Sequence, residues 1–181
     1  MAYSVGNQII LPAGIIIISG CYTLYYFYLK HHNRNMCKEM KLRFIFAFYA
    51  LIMSSFTLFP ILIPPIESQP IEYNLSLEYL TQIFNDRYTF INIVGNAMLF
   101  APLSILGSAS NIKIFSSLQS TIISSFIISV CIEVLQALET HFGLVDPAGI
   151  NVSDINDVII NTIGGIIGWS LMYYLRKTTN K

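Results

Sequence analysis

Apolar residues dominate five stretches of the chain, roughly 8–29, 44–63, 91–110, 114–138 and 156–175, each parted from the next by a shorter polar segment. About 20 mostly apolar residues suffice for a helix to cross a bilayer, so each stretch predicts one membrane span. Pro12, Gly14 and Gly20 in the first stretch and Pro102 in the third would break a soluble helix. In a bundle they are tolerated, because neighbouring helices re-satisfy the freed backbone groups. Between the second and third stretches, residues 64–90 open on a proline-rich turn and then place Leu75, Leu77, Leu80, Ile83 and Phe84 at a spacing that fits either a short amphipathic helix on the outer leaflet or a plain return loop.

Composition supports this pattern. Hydrophobic residues make up 54% of the chain and charged ones 11%, where a soluble domain carries roughly 25%. Cys21, Cys37 and Cys131 suggest no disulfide framework. No Lys or Arg precedes Lys30 and no small-residue cleavage site follows a short apolar core, so the first stretch is expected to stay in the mature protein.

Ten basic and ten acidic residues cancel, but they are unevenly distributed. Lys30, Arg34, Lys38, Lys41 and Arg43 crowd the segment 30–43, which the positive-inside rule assigns to the cytoplasm. Alternation then puts Lys113, Arg176, Lys177 and Lys181 inside as well, leaving Arg87 as the one outward base. The expected fold is an all-α integral membrane protein, a compact bundle of five transmembrane helices with the N-terminus outside and the C-terminus cytoplasmic. Tyr25, Tyr26, Tyr28, Tyr173 and Tyr174 fall where an inner aromatic belt belongs. The sequons at Asn74 and Asn151 fall outside.

Polar residues inside the spans carry the candidate chemistry. Asn92 and Asn96 lie one helical turn apart in the third span. Glu133 and Gln136 share a face near the end of the fourth, and Asp154, Asp157 and Asn161 open the fifth. With the orientation above, all of them lie within about two turns of the outer surface. An ionisable group at the bilayer centre costs at least ~2.5–3.5 kcal/mol, so such groups turn toward a bundle interior. The three faces are therefore expected to converge on an outward-opening polar cavity, with interhelical hydrogen bonding as the plainer alternative for the amides. Gly164 and Gly168, four apart, form a small-residue face with Gly165 beside them, suited to close helix packing or to self-association in an oligomer.

Glu133, Asp154 and Asp157, with His141 nearby, are hard donors without any specific metal-binding spacing, so no metal or other cofactor is expected. Glu133 and Asp157 would be the acid and base of an enzyme, but no nucleophile constellation accompanies them. Nothing in the chain points to nucleic acid.

Taken in order, N-I-V-G-N-A-M-L-F-A-P-L at 92–103, E-V-L-Q at 133–136 and D-I-N-D-V-I-I-N-T-I-G-G-I-I-G at 154–168 resemble the VanZ-like family. The resemblance covers about 88–175 and divides the chain into a two-helix region, 1–87, with a basic inner loop at 30–43 and an acidic outer loop at 64–87, and a three-helix core, 88–181. It marks Asn92, Asn96, Phe100, Pro102, Glu133, Gln136, Asp154, Asp157, Asn161, Gly164 and Gly168 as motif positions. Ser104 stands where members often have Gly, and Asn151 where many have Arg. The family's namesake is a membrane protein of glycopeptide-resistance clusters in Gram-positive bacteria, linked to tolerance of teicoplanin more than of vancomycin. The resemblance thus implies a multi-pass protein of the bacterial cytoplasmic membrane, more plausibly non-enzymatic. Membrane lipids are its expected partners, and a lipid-linked cell-wall precursor or a lipoglycopeptide is its expected ligand, held by Arg87, Asn92, Asn96, Glu133, Gln136, Asp154, Asp157 and Asn161.

Overall fold

The apolar stretches fold as helices. In the computed structural model, which describes residues 3–5, 10–32, 37–58, 61–63, 70, 73–76, 87–144 and 153–179, these are α1 (Ile10–His31), α2 (Lys38–Thr57), α3 (Arg87–Ala109), α4 (Leu118–His141) and α5 (Ile155–Thr179). Four of them, α2 to α5, are long and apolar enough to cross a membrane. At 22 residues α1 is of similar length, and it exposes Ile16, Ile17, Leu24 and Phe27. A 3-10 turn (Lys113–Phe115) and two short strand pairs complete the described regular structure: β1 (Tyr3–Val5) lies antiparallel to β2 (Ile61–Ile63), and β3 (Tyr73–Asn74) lies parallel to β4 (Ser153–Asp154).

Two boundaries differ from expectation. The second apolar stretch was expected to stay helical to about residue 63, yet α2 stops at Thr57, and residues 61–63 pair with β1 instead. Pro60 has no N–H with which to continue the helix, and the Leu58 N–H already returns to the Ser54 carbonyl at 3.0 Å. The basic segment 30–43 is not all loop, since α1 runs through His31 and α2 begins at Lys38. Lys38, Lys41 and Arg43 therefore ride on the first turns of a helix. Of the outer amphipathic helix considered at 75–84, Leu75 and Ser76 are irregular and exposed, and residues 77–86 lie outside the described residues.

Local sequence ends the core helices sharply. Asn111 takes a left-handed conformation (φ 54°), with its own N–H on the Ser108 carbonyl and that of Ile112 on Gly107. This is the hydrogen-bond pattern of a Schellman cap closing α3. Ser117 and Ser120 form a capping box at the start of α4. Gly143 (φ 65°) closes α4 in the same way as Asn111 closes α3, with the Gly143 N–H on Thr140 and the Leu144 N–H on Glu139.

The helices lie side by side in the order α1, α2, α3, α5, α4, so the last in sequence sits between its two predecessors. Small and polar side chains fill the interior: Ser55, Ser104, Ser108, Thr121, Ser125 and Ser129 are buried, while Phe90, Phe126, Ile127 and Ile167 are exposed. This inversion suits a lipid solvent, where apolar surface gains nothing by burial and close backbone approach does the binding. A cluster of Met53, Phe100, Leu103, Phe115 and Ile132 supplies the apolar part of the core.

Pro102 sits inside α3 and cannot donate to the carbonyl of Met98. The Tyr49 hydroxyl, reaching over from α2, is shared between that carbonyl at 3.2 Å and the Leu99 carbonyl at 2.8 Å. A backbone group freed within the membrane is thereby satisfied from the next helix.

Candidate polar site at the acidic end of the bundle

Every fourth residue of α4 from Thr121 is small or polar and buried: Thr121, Ser125, Ser129, Glu133 and Ala137. A four-residue spacing keeps these side chains on one stripe, which faces α5. The helices run antiparallel along it, as a Cβ at Gly165 would strike Ser125, Asn161 Nδ2 donates to Ser129 Oγ at 2.8 Å, and the Asp154 N–H donates to Glu133 Oε2 at 3.0 Å. Glu133 is buried because it is the ionisable member of this packing seam.

The other face of α5 meets α3 in parallel. A Cβ at Gly164 would collide with the Ala97 backbone and one at Gly168 with the Ala101 carbonyl, so these glycines let two backbones touch. Ser104 is fully buried at this crossing and donates to the Gly165 carbonyl at 2.8 Å. Immediately before Ala97 in α3, Asn96 hydrogen-bonds the Asp157 carboxylate.

Asp154 organises the start of α5. Its Oδ1 accepts from the Asn156 N–H at 2.8 Å, as a helix N-cap does, and from Asn156 Nδ2 at 2.6 Å. Its Oδ2 accepts from Asn74 Nδ2 at 3.0 Å. Asn156 Nδ2 also reaches the Ser76 carbonyl at 2.7 Å, which fastens the segment 73–76 to this end of the bundle. Asp157 lies near enough to Asp154 for the two carboxylates to repel. Among the described residues, the buried amide oxygens of Asn156 and Asn161 and the hydroxyls of Ser125 and Thr140 find no hydrogen-bond partner.

The sequence-predicted set is thus only partly assembled. Glu133, Asp154, Asp157 and Asn96 meet at one end of α3, α4 and α5. Gln136 turns away and donates to the Thr57 carbonyl at 2.8 Å, occupying an acceptor left over at the end of α2. Asn161 lies one turn deeper, against Ser129. Asn92 is on the exposed part of α3, and Arg87 begins that helix with its side chain outside the described residues. Pro102, Gly164, Gly165 and Gly168 all fall at helix contacts.

Sequence reasoning missed Asn156, Asn74, Ser76 and Ser129. Asn156 stands between the two aspartates of D-I-N-D, and the stripe on α4 is visible as a four-residue repeat. Among the described residues, no three of His, Cys, Asp and Glu lie close enough together to hold a metal ion. Two cavities lie elsewhere, one at the basic end of the bundle and one between α1 and α2.

A family model described as VanZ/LLP1 matches residues 46–176, from within α2 to near the end of α5. No curated protein and no solved structure matches the chain.

Proposed function

This chain belongs to the VanZ/LLP1 family, whose match covers residues 46–176, and from that premise we propose that it protects the bacterial envelope by binding a lipid-anchored molecule at its acidic end. Four apolar helices and the family make it a multi-pass membrane protein. In the proposed topology it spans the cytoplasmic membrane five times with its N-terminus outside. The acidic end then opens to the outer leaflet, where lipid-linked wall precursors and acylated glycopeptides reside. The ligand is a lipid, such a precursor, or a lipoglycopeptide such as teicoplanin, whose acyl tail would lie along the helices.

The observation that carries this reading is the convergence of Glu133, Asp154 and Asp157 with Asn96 and Asn156 at one end of the bundle. Intramembrane carboxylates are retained against a free-energy cost and mark functional sites by default. Together they present acceptors to the amides and amines of a peptide-bearing headgroup, and the amide oxygen of Asn156, unpartnered among the described residues, adds one more. The test is growth of a Gram-positive host expressing the protein, or its Glu133→Gln and Asp157→Asn variants at matched membrane levels, in teicoplanin and in vancomycin. Protection from teicoplanin that disappears in both variants is expected. Protection undiminished in the variants would remove the acidic end from the mechanism.

A further inference from the structure

The opposite end of the bundle holds a second polar assembly, built on Asn111. Its left-handed backbone closes α3 and turns its side chain between two helices: Nδ2 donates to Glu39 Oε1 of α2 at 2.6 Å, and Oδ1 accepts from Arg176 Nη2 of α5 at 3.3 Å. The same Arg176 nitrogen donates to the Ser108 carbonyl. Both bonds use one nitrogen and neutral acceptors, so the guanidinium keeps its charge and the hydrogens of Nε and Nη1 for another partner.

Beside this bridge lies a cavity of about 480 Å³ whose lining includes Lys38, Glu39, Leu42, Met172, Leu175 and Arg176. Two cations thus stand against one carboxylate, and that carboxylate is engaged by Asn111. Among the described residues, Lys38 has no ion-pair partner. The cavity also borders the first turn of α2, where Cys37 provides no side-chain cap, so the positive end of the helix adds to the field. Leu42, Met172 and Leu175 give the remainder of the wall an apolar surface.

A guanidinium, an ammonium group and a helix N-terminus around one cavity, with methylene-compatible walls, match a phosphate ester attached to a hydrocarbon. We infer that this cavity binds a phosphoryl group, as carried by an acidic phospholipid of the inner leaflet. Arg176 donates to the phosphate through Nη1, Lys38 neutralises it, and the start of the acyl chain lies against Leu42 and Met172. The site shares no residue with the acidic end, so it stands or falls independently of the function proposed above.

Trp169, the sole tryptophan, lies two turns before Arg176 on α5 and stacks on Tyr173 at 5.2 Å, which makes its emission a built-in reporter. The full chain, purified in a neutral detergent, is titrated with short-chain phosphatidylglycerol, short-chain phosphatidylcholine and inorganic phosphate. Trp169 fluorescence follows each titration, and native mass spectrometry counts the bound lipid. Saturable binding of phosphatidylglycerol is expected, weakened about fivefold by Lys38→Gln and strengthened by Glu39→Gln. Among the described residues the Lys38 side chain makes no hydrogen bond, so its variant decides the matter even if Arg176→Gln loosens α3. Phosphate binding as tightly as the lipid, with the same dependence on Lys38, would assign the site to a soluble phosphate ester. Equal binding of phosphatidylcholine, or indifference to Lys38→Gln, would overturn the inference.

Discussion

Tyr49 carries a structural role that its place in an apolar stretch conceals. Its ring belongs to the core margin, but its hydroxyl replaces the N–H that Pro102 lacks. In Tyr49→Phe the Met98 carbonyl loses its donor in a medium that offers none, at a cost of about 1–3 kcal/mol. Thermal unfolding in detergent should show this loss. Pro102→Ala restores the missing N–H, so the double variant should recover much of it, and a fully additive pair would refute the compensation. Ser104 makes a related point. Its hydroxyl bonds across the crossing to Gly165 without forcing the helices apart.

Among the elements, α5 is the one on which the others depend. Gly164 and Gly168 admit α3 on one face and Gly165 admits α4 on the other, so three glycines within five positions serve two interfaces. Enlarging one should therefore disturb more than a single contact. Gly168→Ala would drive a methyl into the Ala101 carbonyl and Ser104 Oγ. The expected destabilisation is about 1–3 kcal/mol, read as a shift in denaturant midpoint, whereas Ile167→Leu on the exposed face should leave the midpoint unchanged. Equal effects at both positions would show that the glycine seam is not what holds α5 in place. The position of α5 also explains why the acidic residues meet, since Asp154 and Asp157 open the helix that packs between α3 and α4.

For the molecule as a whole, the contacts establish relative direction: α5 runs parallel to α3 and antiparallel to α4, as alternating spans require. The proposed absolute orientation rests on charge, with nine of ten basic residues assigned to one side. Native Cys37, exposed beside Lys38, should resist a membrane-impermeant maleimide in intact cells and react once the membrane is broken. Leu75→Cys, at an exposed position of the opposite end, should react in intact cells in a background lacking the native cysteines. The reverse pattern would invert the molecule and put the acidic end in the cytoplasm.

Sequence by itself determined the helices, because about 20 apolar residues in a row leave the backbone no other way to satisfy its hydrogen bonds in lipid. It also determined that Asn96, Glu133 and Asp157 lie at a common depth, since that depends only on direction and residue count. Which group each would meet was decided by tertiary structure. Helical spacing defines a face but not the helix that covers it, so Gln136 found Thr57, Asn161 found Ser129, and Asn156 became the hub between Asp154 and Ser76. The strand pairs likewise depend on partners tens of residues away. The same is true of Asn111, whose left-handed cap is local but whose grip on Glu39 and Arg176 exists only because α2, α3 and α5 end together.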